Sequence, residues 1–313
     1  MTEARLQVVL VGGTGFLGRG LRERLTGAGH AVTVIGRGLT HDHDRWTHVQ
    51  WDAANLGDWV RALDGADAVV HLVGKRVDCR PTRSNIDELI ASRVDSVHLV
   101  GEAIAGLDRP PTTWVQLSSL AIFGDGGDAV IDESTEVPTT GPRQQVEVCR
   151  RWEAAFAEAS VGVERTVLLR PGIAIGGADD PASRQLALLA RFGLGGKVGS
   201  GDQWVSWVGA EDLFDVLLRA VIDPTMHGVY HVTSPNPVRN RELMAAYRRA
   251  VGRSFGLPSP SLVATIGAWL LGSDPGLALT GRRCVPTRLL AEGQQFAVTD
   301  LDEAVSRAVR AAR

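Results

Sequence analysis

Residues 6–18 read Leu-Gln-Val-Val-Leu-Val-Gly-Gly-Thr-Gly-Phe-Leu-Gly, and this stretch decides the fold class. Its first six residues are largely apolar, which is typical of a short strand that is buried on both faces of a parallel sheet. Four glycines follow within the next seven residues, and an apolar helical pattern then continues to Leu25. A strand, a glycine-rich turn and a helix in this order predict the first half of a βαβ unit.

The same alternation of strands and helices continues to about residue 234. Further strands are predicted at residues 31–35, 47–51, 66–73, 113–117, 165–169 and 229–232. Helices are predicted at residues 86–105, 144–159, 211–221, 241–251, 262–271 and 301–311. This order predicts an α/β fold with a Rossmann-type, doubly wound parallel sheet and right-handed crossovers.

The chain is expected to divide into two closely packed parts. Residues 1–180 are expected to form the Rossmann domain, and residues 205–234 are expected to return to it. Beyond Pro171 the alternation of strands and helices weakens, and glycine and proline become frequent; the second part comprises residues 181–313. We expect this second part to be a smaller α/β substrate-binding region with a C-terminal module.

The glycine-rich turn predicts a dinucleotide site. Gly12 permits a tight turn, Gly15 lets the backbone approach a pyrophosphate, and Gly18 lets the helix pack closely on the strand. The helix N-terminus adds free N–H groups and the positive end of its dipole. A glycine-rich turn without a ligand is the alternative. The cofactor contacts predicted here are Gly12, Thr14, Gly15, Phe16, Leu17 and Gly18.

The end of the second predicted strand indicates which dinucleotide binds. An NAD-preferring site places Asp or Glu there, to hold the ribose 2′-hydroxyl. This chain has Gly36 followed by Arg37 instead. Gly36 leaves room for a 2′-phosphate, and the Arg37 guanidinium can form charge-assisted hydrogen bonds with it. A solvated loop arginine is the alternative, and NADP(H) is the predicted cofactor.

Further cofactor contacts are predicted where other strands end. Ligands of open α/β sheets bind at the carboxyl edge of the sheet. Asp52 follows the third strand there, and its carboxylate can accept a hydrogen bond from an adenine amino group. The remaining contacts predicted at this edge are Leu72, Val73, Gly74, Arg170, Pro171 and Gly172.

Composition and charge exclude several classes of partner. The formal net charge of the 313 residues is −3, so no overall basic field favours nucleic acid or an anionic membrane. Three widely separated cysteines indicate a reducing compartment. The N-terminus leads directly into a strand, without a signal-peptide pattern, and the apolar stretch at 262–271 is too short to span a bilayer. We expect a cytoplasmic monomer or homodimer that acts on a small molecule.

A group of histidines and aspartates invites a metal interpretation. His41, His43 and His48 alternate with Asp42 and Asp44. They fall in an irregular segment, and no second cluster of ligands accompanies them. A solvated loop is the better interpretation, and no metal site is expected.

The chain resembles the extended short-chain dehydrogenase/reductase superfamily, and most of all its atypical, epimerase-like branch. That branch is described as NAD-dependent epimerase/dehydratase or as SulA-like, and it ends in a small C-terminal module of unknown function. The resemblance extends over nearly the whole chain and adds Arg93 and Ser118 to the expected cofactor contacts. The matching residues are Gly12 to Gly18, Ser92-Arg93, Ser118-Ser119, Phe123-Gly124-Asp125, Cys149 to Glu153, Gly199 to Trp204, Trp207, Asp212, Pro235 to Asn240, Pro286 and Arg288-Leu289-Leu290.

The resemblance also implies a catalytic group that this chain lacks. Members of the superfamily use a Ser or Thr, a Tyr, and a Lys four residues after the Tyr. Ser119 matches the serine, but alignment through Glu153 puts Gln145 at the tyrosine and Cys149 at the lysine. The only tyrosines, Tyr230 and Tyr247, have no lysine nearby. The catalytic candidates that remain are Ser119, Gln145 and Lys75.

Each remaining candidate has a structural alternative. Ser119 can bind a substrate carbonyl or cap a local turn. Lys75 can act as an acid if it is desolvated, but a solvated surface lysine is the commoner case. Asp125 and Glu147 are candidate proton carriers at polar positions near the expected cleft. Cys149 is expected to be a buried apolar residue rather than a nucleophile.

Two tryptophans and the missing Tyr–Lys pair leave the function open. Trp204 and Trp207 can form the wall of an apolar substrate pocket or pack in the core. The leading hypothesis is an NADP(H)-dependent oxidoreductase or epimerase/dehydratase that acts on a small organic carbonyl or hydroxyl compound. A non-catalytic NADP(H)-binding sensor or regulatory protein is the alternative. A protein-interaction scaffold would be favoured if no dinucleotide binds.

Overall fold

A computed structural model describes residues 5–38, 41–176, 180–270 and 272–311. The strands are β1 Gln7–Val11, β2 Ala31–Gly36, β3 His41–His43, β4 Trp46–Gln50, β5 Ala68–His71, β6 Thr113–Leu117, β7 Val130–Ile131, β8 Arg165–Pro171, β9 Ile173–Ile175, β10 Trp204–Val205, β11 Trp207–Gly209, β12 Gly228–Val232, β13 Val238–Arg239 and β14 Arg283–Cys284. The α-helices are α1 Phe16–Gly27, α2 Arg83–Ala105, α3 Val148–Ala159, α4 Pro181–Arg191, α5 Ala210–Ile222, α6 Asn240–Ala250, α7 Ser261–Leu270, α8 Gly276–Leu279, α9 Thr287–Ala291 and α10 Leu301–Ala311. Short 3₁₀-helices span Asp58–Ala62 and Leu120–Phe123, and a π-helical turn at Arg143–Glu147 leads into α3.

The central sheet has the strand order β12-β8-β6-β5-β1-β2-β4-β3. All neighbouring strands are parallel except β3, which pairs antiparallel with β4 at the edge. At the carboxyl end of β1, Val11 pairs with Ile35 on one side and His71 on the other. The strand order therefore reverses at β1, and the two strand ends beside it open a crevice at the phosphate loop. The predicted Rossmann-type α/β fold is confirmed.

Helices cover both faces of the sheet, because its inner strands are apolar on both sides. The helix α1 packs against α5, and α2 packs against α3. The first of these contacts is close: a Cβ at Gly20 would lie 2.2 Å from the Phe214 ring, and that ring meets Phe16 edge-on at 5.5 Å. Phe16 is therefore held in place at the start of α1, beside the glycine-rich turn.

The C-terminal part has an apolar cluster of its own. The helices α4, α6 and α10 pack together there. Trp207 and Tyr247 are both fully buried in this cluster, and the Tyr247 hydroxyl lies 2.7 Å from Ser183 Oγ. Three two-stranded ladders accompany it: β9 with β11, β10 with β13, and β7 with β14. The proposed division at residue 180 stays a prediction.

Most of the predicted elements are confirmed, some with shifted ends. The strand at Thr113–Leu117 has the predicted bounds, whereas the strand predicted at 66–73 is limited to Ala68–His71. The helix Pro181–Arg191 was not predicted, and neither was the ladder that β14 forms with β7. Through this ladder the polar segment at 124–143 is joined to the C-terminal module. Within the described residues, every helix is too short or too polar to cross a membrane.

Candidate functional site

The glycine-rich turn has the geometry of a phosphate-binding loop. Gly12 has φ +82°, and a Cβ there would lie 2.8 Å from Val73 Cγ2. A Cβ at Gly18 would lie 2.4 Å from the Gly13 backbone, so the helix packs directly on the turn. Gly15 differs from both, because a Cβ there would meet no atom within 4 Å. Gly15 is the N-cap of α1 without a side-chain hydrogen bond, so this space opens onto N–H groups of the first helical turn.

The predicted 2′-phosphate position needs a correction. The space beside Gly36 is not empty, because a Cβ there would lie 2.8 Å from His48 Nε2 and 3.2 Å from Thr14 Cγ2. Gly36 therefore makes room for the imidazole of His48 rather than for a ligand. Arg37 follows with an exposed side chain that has no hydrogen bond or ion pair within the described part of the chain.

The irregular, solvated loop predicted around the histidines is wrong, because His41–His43 and Trp46–Gln50 are the strands β3 and β4, and His48 is buried. The structure does not describe the side chains of residues 41–43.

Asp52, the predicted adenine contact, is an exposed turn residue. Its Oδ1 accepts hydrogen bonds from the backbone N–H groups of Ala54 and Asn55 at 2.9 Å, and its Oδ2 accepts one from Asn55 Nδ2 at 2.8 Å. These bonds, with the Asn55 side chain first, lower the pKa of Asp52 to about 2. The carboxylate keeps free lone pairs, so a contact with adenine stays a prediction.

Arg93 supports the loop at the end of β5 from beneath. Its buried guanidinium donates to the main-chain oxygens of Leu89 at 3.1 Å and Lys75 at 3.0 Å. It also lies 4.9 Å from the centre of the Trp152 ring. A Cβ at Gly74 would lie 3.0 Å from Arg93 Cζ. A glycine at this position therefore allows the loop to pack directly against the arginine.

Lys75 is held at the start of α2 and is poorly placed to act as an acid. Its ammonium donates to Asn85 Oδ1 at 3.0 Å and forms an ion pair with Glu88. Both partners lie on α2, and the ion pair lowers the pKa of Glu88. An ammonium that is already paired with a carboxylate gains little by transferring its proton to a substrate.

Ser118 and Arg170 both meet Glu153 of α3. Ser118 Oγ donates to Glu153 Oε1 at 2.6 Å. Arg170 donates to the two carboxylate oxygens from Nε at 2.9 Å and Nη2 at 2.7 Å. The pair is buried, with side-chain exposures of 7% and 15%. The Arg170 guanidinium is thus used within the protein. The cofactor contacts at Pro171 and Gly172 stay predictions.

Arg170→Met should lower the free energy of unfolding by about 3–5 kcal/mol, because the Glu153 carboxylate would be left buried without its partner. Denaturant titration followed by circular dichroism measures the loss. Arg61→Met is the control, since Arg61 and its partner Asp58 are 86% and 90% exposed and should contribute no measurable stability. Equal stability of the two variants would contradict a structural role for the buried pair.

The positions of the missing Tyr–Lys pair are both buried. Cys149 lies in a small apolar cluster, and burial raises the pKa of its thiol to about 12. Gln145 lies within hydrogen-bond distance of Thr280 Oγ1, and its Oε1 accepts from Arg282 Nη2 at 3.2 Å. Ser119 Oγ accepts from the backbone of Ala121 at 3.1 Å and caps the 3₁₀-helix. The hydroxyl hydrogen of Ser119 has no acceptor within the described residues, so it can donate a hydrogen bond.

The prediction that Glu147 carries a proton is wrong. Glu147 forms ion pairs with Arg143 and Arg151, which lower its pKa, so it holds no proton near neutral pH. The candidate Asp125 is exposed, and its Oδ1 accepts from the backbone of Gly281 at 3.2 Å.

Asp274 is a buried carboxyl group that sequence reasoning missed. It is 8% exposed, and burial raises its pKa, although Oδ1 accepts one hydrogen bond from Gly276 N at 2.8 Å. A Cβ at Gly276 would lie 3.1 Å from Asp274 Oδ1 and 3.2 Å from Gln145 Nε2. The carboxyl and the amide therefore face the same small space. Asp274-Pro275-Gly276 is typical of a turn, and nothing in the sequence indicates its proximity to Gln145.

The two tryptophans do not form one wall. They lie on separate strands, and Trp207 is fully buried with its Nε1 donating to Asn236 O at 2.9 Å. Trp204 is partly exposed between two guanidinium groups, Arg239 at 3.9 Å and Arg283 at 4.6 Å from its ring centre. An open, polar cavity of about 420 Å³ lies beside it, lined among others by Asp128, Asp202, Gln203 and Ser261.

The fold and the loop geometry define a Rossmann protein of the short-chain dehydrogenase/reductase kind, and comparison with known proteins gives its family. A model of the NAD dependent epimerase/dehydratase family matches residues 8–232. The chain belongs to this family. Within the described residues, no group of three or more His, Cys, Asp or Glu side chains could hold a metal ion.

Known proteins similar to this chain cover nearly all of it. Human epimerase family protein SDR39U1 is 30% identical over 307 residues, which are 97% of this chain and 100% of the human protein. A crystal structure of human SDR39U1 with NADPH has a TM-score of 0.83 and 28% identity, and it covers 97% of this chain and 99% of that chain. A nucleoside-diphosphate sugar epimerase from Corynebacterium glutamicum has a TM-score of 0.77 and 29% identity over 98% of this chain and 58% of its own.

Proposed function

We propose that this chain binds NADP(H) with the pyrophosphate over Gly15. The observation that carries the proposal is the open space at Gly15, which meets no atom within 4 Å at the N-cap of a twelve-residue helix. Backbone N–H groups and the helix dipole favour a phosphate group there. The NADPH in the human SDR39U1 structure supports the choice of cofactor. Residues 14–18, Arg37 and the ends of β5 and β8 would hold it.

Arg37→Ala should remove most of the preference for NADPH over NADH. The exposed guanidinium of Arg37 is available for the 2′-phosphate, and a charge-assisted bond of this kind is worth about 1.5–3 kcal/mol, or roughly ten- to a hundredfold in affinity. Fluorescence titrations of both nucleotides measure the preference. Arg45→Ala, an exposed arginine eight positions on, is the control. Equal affinities of the wild-type protein for NADPH and NADH would rule out this contact.

We further propose that the protein is an enzyme which transfers hydride between the nicotinamide and a small carbonyl or hydroxyl compound. The nicotinamide supplies or accepts the hydride, so this chain's own residues must orient the substrate and move one proton. Gln145 cannot donate a proton as an acid near neutral pH, and the buried thiol of Cys149 keeps its proton because its pKa is about 12. Asp274 is the carboxyl beside Gln145 whose pKa burial raises.

In this proposal the three side chains have separate tasks. Asp274 gives the proton to the substrate oxygen in the reducing direction and takes it back in the oxidising direction. The Gln145 amide orients that oxygen, and the Ser119 hydroxyl donates a hydrogen bond from the end of β6. Lys75, the other catalytic candidate, positions the start of α2 through Asn85 and Glu88.

A non-catalytic NADP(H) sensor is the second candidate. The observation that favours it is the replacement of the Tyr–Lys pair by Gln145 and Cys149, which are both buried. Oxidation of bound NADPH by a carbonyl compound separates the two functions, because only an enzyme consumes the cofactor. In both cases we propose that residues 181–313 contribute the substrate or effector side of the cleft and that the protein works in the cytoplasm.

A further inference from the structure

Arg282 is a largely buried guanidinium without an ion-pair partner within the described residues. It comes from the segment just before β14, and its backbone N–H donates to Trp204 O at 3.1 Å. Of its guanidinium nitrogens, Nη2 has two long contacts, with Gln145 Oε1 at 3.2 Å and Thr280 Oγ1 at 3.4 Å. The Nε atom is buried without a hydrogen-bond partner. Within the described residues, no carboxylate forms an ion pair with this side chain.

Arg170 and Arg165 show how other buried or partly buried arginines of the fold are paired, whereas Arg283, like Arg282, has a buried Nε without a hydrogen-bond partner. Arg170 has the carboxylate of Glu153. Arg165 donates to three main-chain oxygens of the segment at 220–226. Arg282 has neither a carboxylate partner nor a set of main-chain acceptors. Burial lowers the pKa of its guanidinium through desolvation. A guanidinium remains protonated even so, and an unpaired buried charge costs stability unless a ligand supplies the counter-charge.

The position of this charge identifies the part of the substrate that would meet it. Arg282 Nη2 donates to the amide oxygen of Gln145, which the proposed function places at the reacting position. An anionic group on the guanidinium is therefore next to the carbon that exchanges hydride. A carboxylate accepts charge-assisted hydrogen bonds from a guanidinium. A single positive charge with Asp125 among its electrostatic neighbours favours a singly charged group over a phosphate dianion.

We propose that Arg282 binds the carboxylate of the substrate, which makes the substrate class a 2-oxo or 2-hydroxy acid. The Nη1 hydrogens, which have no acceptor within the described residues, donate to the carboxylate, and the adjacent carbonyl oxygen then faces Gln145 and Asp274. This inference rests on the proposed hydride transfer at Gln145. It adds the chemical group that selects the substrate.

Oxamate tests the proposal, because it joins a carboxylate to an unreactive carbonyl. Its uncharged methyl ester is the matched control compound. Inorganic phosphate tests whether Arg282 binds a phosphate group instead of a carboxylate. Each is titrated into protein saturated with NADP⁺ at constant ionic strength, and tryptophan fluorescence reports binding because Trp204 lies beside Arg282. Saturation with NADP⁺ keeps the anions away from the phosphate loop.

Oxamate should bind the wild-type protein at least tenfold more tightly than methyl oxamate. Arg282→Gln should remove this difference, and Arg282→Lys should recover part of it, because lysine restores the charge without the planar fork. Arg61→Gln, at an exposed ion pair with Asp58, should bind oxamate like the wild type. NADP⁺ affinity should be the same in all four proteins, which shows that each is folded.

Three results would overturn the proposal. Oxamate and its ester could bind equally to the wild type, or Arg282→Gln could bind oxamate as the wild type does. Phosphate could bind tenfold more tightly than oxamate in an Arg282-dependent way, which would assign a phosphate instead. Failure of NADP⁺ to bind the wild type is a different result. It contradicts the proposed function, while oxamate binding to the protein without nucleotide still tests Arg282.

Discussion

Gly15→Val should weaken NADPH binding by about a hundredfold or more while the protein stays folded. Valine fits the backbone of Gly15, which has φ −78° and ψ −177°, and its Cβ would meet no protein atom within 4 Å. The branched side chain would instead fill the space over the first turn of α1, where the pyrophosphate needs the backbone N–H groups. Titration of NADPH fluorescence measures the affinity, and thermal unfolding measures the stability.

Two other glycines of the same helix provide controls for Gly15→Val. Gly27 lies at the far end of α1, and a Cβ there would also meet no atom within 4 Å. Gly27→Val should therefore bind NADPH normally. Gly18→Val should unfold the protein, because its Cβ would lie 2.4 Å from the Gly13 backbone. A folded Gly15→Val protein with normal NADPH affinity would show that the loop does not hold the pyrophosphate.

Asp274→Asn should lower the rate of hydride transfer by about 10²–10⁴-fold, the size expected when a general acid is removed. In the reducing direction the carboxyl must be protonated, and burial raises its pKa. The wild-type rate should therefore fall as the pH rises through that raised pKa, and the variant should lose this dependence. Single-turnover oxidation of bound NADPH at 340 nm measures both effects.

Stability distinguishes a catalytic carboxyl from a structural one. A carboxyl whose folded pKa is raised costs stability above its unfolded pKa, so Asp274→Asn should not destabilise the protein at neutral pH. Asp212 is the matched control, since it is also buried with a raised pKa. Its two oxygens accept from the backbone of Ala297 and Val298. Asp212→Asn should cost roughly 1–3 kcal/mol and keep the rate. Similar rates for Asp274→Asn and the wild type would remove Asp274 from the mechanism.

The sequence predicts the sheet well because its signals are local. The strand at Thr113–Leu117 follows Pro110-Pro111 and ends before Ser118, so its apolar run has clear bounds. The helix Pro181–Arg191 was missed although Asp180 and Pro181 are a common N-cap and first residue of a helix. The surrounding glycines and prolines concealed that signal.

The site is less predictable, because long-range folding assembles it. Gly12, Gly15 and Gly18 act within one turn, and their spacing is visible in the sequence. Asp274 and Arg282 reach Gln145 across more than a hundred residues, and β14 reaches β7 only in the folded chain. The sequence also does not show which positions have free space beside them in the folded protein. Gly36 was expected to admit a phosphate, and the structure fills its place with His48.

Oxidation of bound NADPH by a carbonyl compound decides whether this chain is an NADP(H)-dependent enzyme. The protein is loaded with one equivalent of NADPH and mixed with a panel of 2-oxo acids and their uncharged esters, and absorbance at 340 nm is followed. At least one 2-oxo acid should oxidise the bound NADPH, and should do so faster than its ester. NADPH that binds tightly and stays reduced with every compound in the panel would contradict hydride transfer by this chain and favour the sensor.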